Sequence, residues 1–322
     1  MDILISLVLL LAGLGILILG AEWLVRGASS IARKSGISPL VVGLTVVAFG
    51  TSAPELTVNL YSALTGTTDI AIGNIIGSNI ANILLILGVT AAIVPLAVKS
   101  TTVKWEIPLA LLAGVLVLIF GSDRLFDGGV ADVITRTDGL ALLALFTVFM
   151  CYIFVLARHD KEVAPPEEAE KAPVNTPFAI LLVLVGLAGL VIGGKILVDQ
   201  AVLLARLAGL SEAVIGLTIV AIGTSLPELA TSIVAAFKKE VDIAIGNIVG
   251  SNIFNVFWIL GLTSVIAPLP VPEGFMVDAS VGIGAVLLLL GSLFIGIKQR
   301  LDRWQGVVFV LLYIAYLTYL VV

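Results

Sequence analysis

Two long blocks of this 322-residue chain are near copies of one another, and every residue in them stands 173 positions from its copy. GLTVVAFGTSAPE begins at Gly43 and GLTIVAIGTSLPE at Gly216, while DIAIGNIIGSNIANILLILG begins at Asp69 and DIAIGNIVGSNIFNVFWILG at Asp242. A single offset shared by both blocks marks an internal duplication rather than a coincidence of apolar composition. The chain must therefore fold as two related units, and its composition decides in which solvent. Hydrophobic residues make up 60% of it and charged residues 12%, about half the ~25% charge of an ordinary soluble domain. That leaves too little polar surface to cover a soluble globule.

A helix needs roughly 20 apolar residues to cross the hydrocarbon core. Stretches of that kind are expected at 2–31, 37–64, 70–98, 105–121, 137–157, 178–207, 212–237, 243–269, 275–297 and 303–321. The expected fold class is all-α integral membrane, with ten transmembrane helices as two inverted five-helix repeats. The inversion follows from counting: five spans is an odd number, so the second copy enters the membrane from the side opposite the first. Residues 1–157 form the first repeat and 178–322 the second. Between them the charged, proline-rich run ARHDKEVAPPEEAEKAPVNTP supplies a linker at 158–177 that is too polar to pack. Of the 17 Lys and Arg residues, 13 fall on the linker's side of the membrane. The positive-inside rule then places the linker in the cytoplasm and both termini outside a plasma membrane. The first apolar stretch starts at Ile3 with no basic segment before it, so the first helix is expected to be retained.

Several functions drop out. One cysteine (Cys151) and one histidine (His159) cannot make a disulfide or a Cys/His metal cluster within one chain. A net charge of −5 with no basic stripe disfavours nucleic acid as a partner. No nucleophile, base and orienting group occur together, so an enzyme is not expected. No cofactor and no obligatory protein partner are called for; the lipid bilayer is the evident surrounding.

What remains is polar chemistry inside apolar spans. In the second helix the run Gly50, Thr51, Ser52, Ala53, Pro54, Glu55 sits mid-membrane, and Gly223, Thr224, Ser225, Leu226, Pro227, Glu228 repeats it in the seventh. Proline removes a backbone donor and clashes with the preceding turn, so both helices should break there. A carboxylate in a membrane span costs ~2.5–3.5 kcal/mol on insertion scales. Its duplication argues for a cation-binding role, and an all-oxygen environment suits calcium or sodium. The hydroxyls alone are equally well explained by back-bonding to helix carbonyls. In the third and eighth helices Gly73 and Gly77, like Gly246 and Gly250, have the spacing of close helix packing. Ser78 and Asn82, like Ser251 and Asn255, lie four apart on one face, where they complete an oxygen cage or else bond between helices. Glu22 with Arg26, and Lys195 with Asp199, read as local ion pairs. Glu106, Asp123, Asp127, Asp278 and the acidic cluster of the linker read as solvated.

The paired GTS-P-E and GN-x-x-GSN motifs, which with the ten-helix layout span nearly the whole chain, resemble the alpha-repeats of the calcium/cation antiporter superfamily, and within it the prokaryotic sodium/calcium exchangers. The resemblance implies ion ligands at Thr51, Ser52, Glu55, Ser78 and Asn82 in the first repeat and at Thr224, Ser225, Glu228, Ser251 and Asn255 in the second. It adds the backbone carbonyls of Ala48 and Ala221. Some relatives carry aspartate where this chain has Asn255, a departure that counts against potassium coupling. The implied activity is sodium-for-calcium exchange by alternating access, with helices one and six sliding against the core. Proton-coupled antiport of calcium or another divalent ion is the alternative on the same scaffold, and a channel lined by the same residues is the rival from another class.

Overall fold

The computed structural model describes residues 3–66, 68–126, 128–129, 131–159, 175–209 and 221–321. Most of the linker, the opening of the seventh expected span at 210–220, and Asp127 lie outside the described residues. Helix α1 runs Ile3–Ser35 and stops at Gly36, whose φ of +63° is left-handed. The second span is a bent pair, α2 (Pro39–Thr51) and α3 (Ala53–Thr65), meeting at 46°. Next come α4 (Thr68–Ile80, continued through Ala81–Leu87 and Gly88–Ile93), α5 (Ser100–Phe120), α6 (Arg136–His159) and α7 (Thr176–Leu207). After the short turn Ala221–Gly223 come α8 (Leu226–Phe237), α9 (Val241–Ile266), α10 (Phe275–Ser292) and α11 (Arg303–Val321).

Among the described residues eight helices are long and apolar enough to cross a membrane, and the bent pair makes a ninth if taken as one span; α8 is a shorter apolar helix. The most apolar stretch of α9 is 94% buried within the protein and that of α4 67%, against 17% for α6. So α4 and α9 form the centre while the outer helices present their apolar sides to lipid. Both central helices end earlier than expected, at Ile93 and Ile266 rather than 98 and 269. Val94 and Ala267 are extended because each precedes a proline, Pro95 or Pro268. The chain that follows makes two small antiparallel pairs that the all-helical expectation did not include. Strand β1 (Leu96–Ala97) bonds β4 (Arg300–Leu301), and β2 (Val133–Ile134) bonds β3 (Leu269–Pro270). In each pair one strand comes from the first copy and the other from the second.

α1 and α7 cross antiparallel at backbone distance. A Cβ on Gly20 would lie 2.7 Å from the nitrogen of Leu190, and one on Gly186 2.6 Å from that of Leu24. Neither neighbour can yield, because both are main chain. Gly186→Leu is therefore expected to lower stability by roughly 1–3 kcal/mol, read as a fall in the thermal unfolding midpoint in detergent. Gly15→Ala, at a position with open space around it, should leave the midpoint unchanged.

Candidate cation site

Pro54 and Pro227 each occupy the second position of the helix that follows a break, and the residue at the break is a serine. Ser52 has φ −82° and ψ 10°, Ser225 φ −87° and ψ 5°, both outside helical values. Restarting the helix at that point puts Glu55 and Glu228 in the first turns of α3 and α8, where the helix dipole favours negative charge. Both glutamates are only 1% exposed. Carboxylates so placed require compensation, because unpaired buried charge is costly.

Part of that compensation crosses between the two copies. Ser52 Oγ donates to Glu228 Oε1 at 3.1 Å, and Ser225 Oγ lies 3.5 Å from Glu55 Oε1. Ser78 Oγ donates to Glu55 Oε1 at 3.3 Å and stands 3.4 Å from Ser225 Oγ. The second oxygen of each carboxylate, Glu55 Oε2 and Glu228 Oε2, is buried with no hydrogen-bond partner among the described residues. Asn82 Oδ1 and Asn255 Oδ1 are likewise buried and unpartnered. Ser251, one turn before Asn255, is fully buried. Two carboxylates and two amide oxygens, all acceptors, form the kind of donor set that a hard cation takes up.

The remaining expected ligands have identifiable positions. Thr51 Oγ1 donates to Asn247 Oδ1 at 2.9 Å and lies 3.3 Å from the carbonyl of Ala48, which also accepts the Ser52 N–H at 3.1 Å. Thr224 Oγ1 lies 3.5 Å from Asn74 Oδ1. Ala221 opens the short turn before the second break. Gly246 and Gly250 do pack closely, against the backbone of Leu40 and Leu44. Among the described residues nothing lies within 4 Å of a Cβ placed on Gly73 or Gly77.

Sequence reasoning did not single out the supporting polar residues. Asn247 donates to Ser232 Oγ at 3.0 Å and to the Glu228 carbonyl at 3.4 Å, and Asn59 to the Glu55 carbonyl at 2.9 Å. Asn59 and Ser232 are copies of one another at the 173 offset, one turn beyond each glutamate. That spacing was the available signal.

Some charged residues differ from expectation. Glu22 pairs with Lys238 across helices at 2.9 Å, so its ion pair is tertiary, whereas Lys195 and Asp199 make the local pair at 3.2 Å. Arg33 and Ser29 both reach Glu240, the former at 2.9 Å. Glu106 is fully buried, not solvated, and accepts a hydrogen bond from Tyr152 of α6. Asp278 accepts one from Tyr316 at 2.9 Å, and Asp123 one from the Val133 N–H at 3.0 Å.

Helices broken at mid-span around opposed buried carboxylates define a membrane cation transporter. The chain belongs to the sodium/calcium exchanger protein family, whose model matches residues 5–155 and 178–322. It is 39% identical to the inner membrane protein YrbG of Escherichia coli, covering 90% of this chain and 88% of that one. It is 33% identical to the sodium/calcium exchanger MaX1 of Methanosarcina acetivorans, covering 98% of both chains. A solved structure of the sodium-calcium exchanger NCX_Mj superposes with a TM-score of 0.82 at 34% identity, covering 98% of this chain and 99% of that one. The chain is thus a multi-pass cation antiporter of a transporter family, not of an enzyme family.

The buried Glu106–Tyr152 contact gives a check on the packing between α5 and α6. Tyr152→Phe should cost about 1–2 kcal/mol, seen as a lower unfolding midpoint.

Proposed function

We propose that this protein exchanges sodium for calcium across the plasma membrane by alternating access, with both ions competing for the cavity between Glu55 and Glu228. The observation that carries this reading is the pair of buried carboxylates, each with one oxygen held by a serine of the other copy and the other left without a hydrogen-bond partner. Asn82 and Asn255 supply amide oxygens; Thr51, Ser52, Ser78, Thr224, Ser225 and Ser251 supply hydroxyls; Ala48 and Ala221 supply carbonyls. With both glutamates ionised the cavity carries about two negative charges, which one calcium ion neutralises. Unloaded, it would hold uncompensated charge at low dielectric, so the empty form resists switching sides, and that resistance couples the two fluxes.

The architecture that goes with this reading has ten spans in two inverted repeats, 1–157 and 178–322. Residues 158–177 form a cytoplasmic linker, and both termini face outward. In its favour are the antiparallel α1–α7 crossing, the strand pairs made between copies, and the two serine-to-glutamate bonds between them. Among the described residues, α8 belongs to the seventh span of this reading.

Calcium uptake into proteoliposomes driven by an outward sodium gradient, with a protonophore present, tests the coupling. Uptake is expected to follow the sodium gradient; uptake that instead needs a pH gradient would assign proton coupling. Glu55→Gln and Glu228→Gln should each reduce exchange to background while the protein still inserts and elutes as a single folded species. Normal exchange in both variants would remove the site assignment.

A further inference from the structure

Between α4 and α9, four asparagines bond in a closed reciprocal pattern. Asn79 Nδ2 donates to the backbone carbonyl of Asn252 at 3.2 Å, and Asn252 Nδ2 donates to the backbone carbonyl of Asn79 at 3.3 Å. Asn82 Nδ2 donates to Asn252 Oδ1 at 2.9 Å, and Asn255 Nδ2 to Asn79 Oδ1 at 3.0 Å. The backbone bonds fix the direction of the whole set. A main-chain carbonyl can only accept, so the branch of Asn79 facing it must be the NH₂, and its oxygen must lie on the other branch. That oxygen in turn accepts only from an N–H, so the Asn255 amide must turn its nitrogen toward Asn79 and its oxygen away. The same chain of constraints runs from Asn252 to Asn82. The two oxygens left over, Asn82 Oδ1 and Asn255 Oδ1, are the buried, unpartnered ones.

We propose that Asn79 and Asn252 are positioning residues whose amides force Asn82 and Asn255 to present oxygen, and not NH₂, to the transported cation. An unsupported asparagine offers either end of its amide. With the NH₂ end inward it places a positive dipole against the ion and removes a ligand. Each copy thus orients the amide ligand of the other, Asn79 acting on Asn255 and Asn252 on Asn82. The inference rests on the cation site proposed above and deepens it.

The test is equilibrium calcium binding to purified protein, backed by exchange kinetics. Asn79→Leu and Asn252→Leu are each expected to weaken calcium affinity by roughly tenfold or more, the usual effect of removing a group that orients a metal ligand. The discriminating variant is Asn79→Leu combined with Asn255→Asp. A carboxylate presents oxygen whichever way it turns, so the double variant should bind calcium within about threefold of Asn255→Asp alone, with the two changes far from additive. If Asn79 serves only to join α4 to α9, the aspartate will not rescue it. Affinity unchanged within about twofold in Asn79→Leu, or failure of the rescue, overturns the proposal.

Should the leucine variants not fold, infrared difference spectra of wild-type protein labelled at the asparagine side-chain carbonyl decide the matter. Calcium should shift an amide carbonyl band, and Asn82→Asp combined with Asn255→Asp should abolish the shift. Absence of any shift in calcium-bound wild type overturns the proposal. A wild type that binds no calcium fails the exchanger reading first, whereas calcium binding without the asparagine effects fails this inference alone.

Discussion

Two carboxylates buried in a low-dielectric interior impose the constraint on which the rest of this structure depends. Each is only 1% exposed, and no lysine or arginine stands beside them among the described contacts. Their compensation comes from hydroxyls and from the starts of two helices, and those starts exist only because proline breaks each span. The arrangement is left short of donors on the second oxygen of each carboxylate among the described residues. A site with that deficit is poised for a mobile positive charge rather than a fixed one.

Holding the deficit open requires rigid walls, and these come from α4 and α9. Both are wound more loosely along part of their length, over Ala81–Leu87 and Phe254–Leu260, in segments of π-helix that begin beside Asn82 and Asn255. Such segments redirect the side chains that follow and recur at functional sites. Behind them the core is apolar and closely packed, with Phe254 set against Phe49, Phe146 and Phe149 at centroid distances of 5.1–6.1 Å. Polar ligands face the centre and the aromatic cluster lies behind them.

The sequence carried the helix breaks and the glutamates openly, because proline, glycine and a charge in an apolar run act locally and need no partner to be recognised. It carried the duplication too, since repetition is visible without coordinates. The serine bridges between copies were not legible: Ser52 is as close in sequence to Glu55 as to any acid, yet its partner is Glu228, and only the docking of the copies reveals that. The same holds for the contact of Glu22 with Lys238 across helices, where the sequence had suggested only a pair within the first helix. Glu106 reads from the sequence as solvated; packing of α6 over it, with Tyr152 as donor, buries it instead. In each case the short-range pattern left out a contact that tertiary structure supplies.

The two small strand pairs have a consequence for biosynthesis. β1 emerges from the ribosome long before β4, and β2 long before β3, so after the first copy has been made both of its strands still lack their partners. Glu55 likewise waits for Ser225. The first half is then a set of inserted helices with unfinished polar edges, and its completion is deferred until the second half arrives to close it. Duplication in this chain has yielded two halves that finish one another, not two domains that mature in turn.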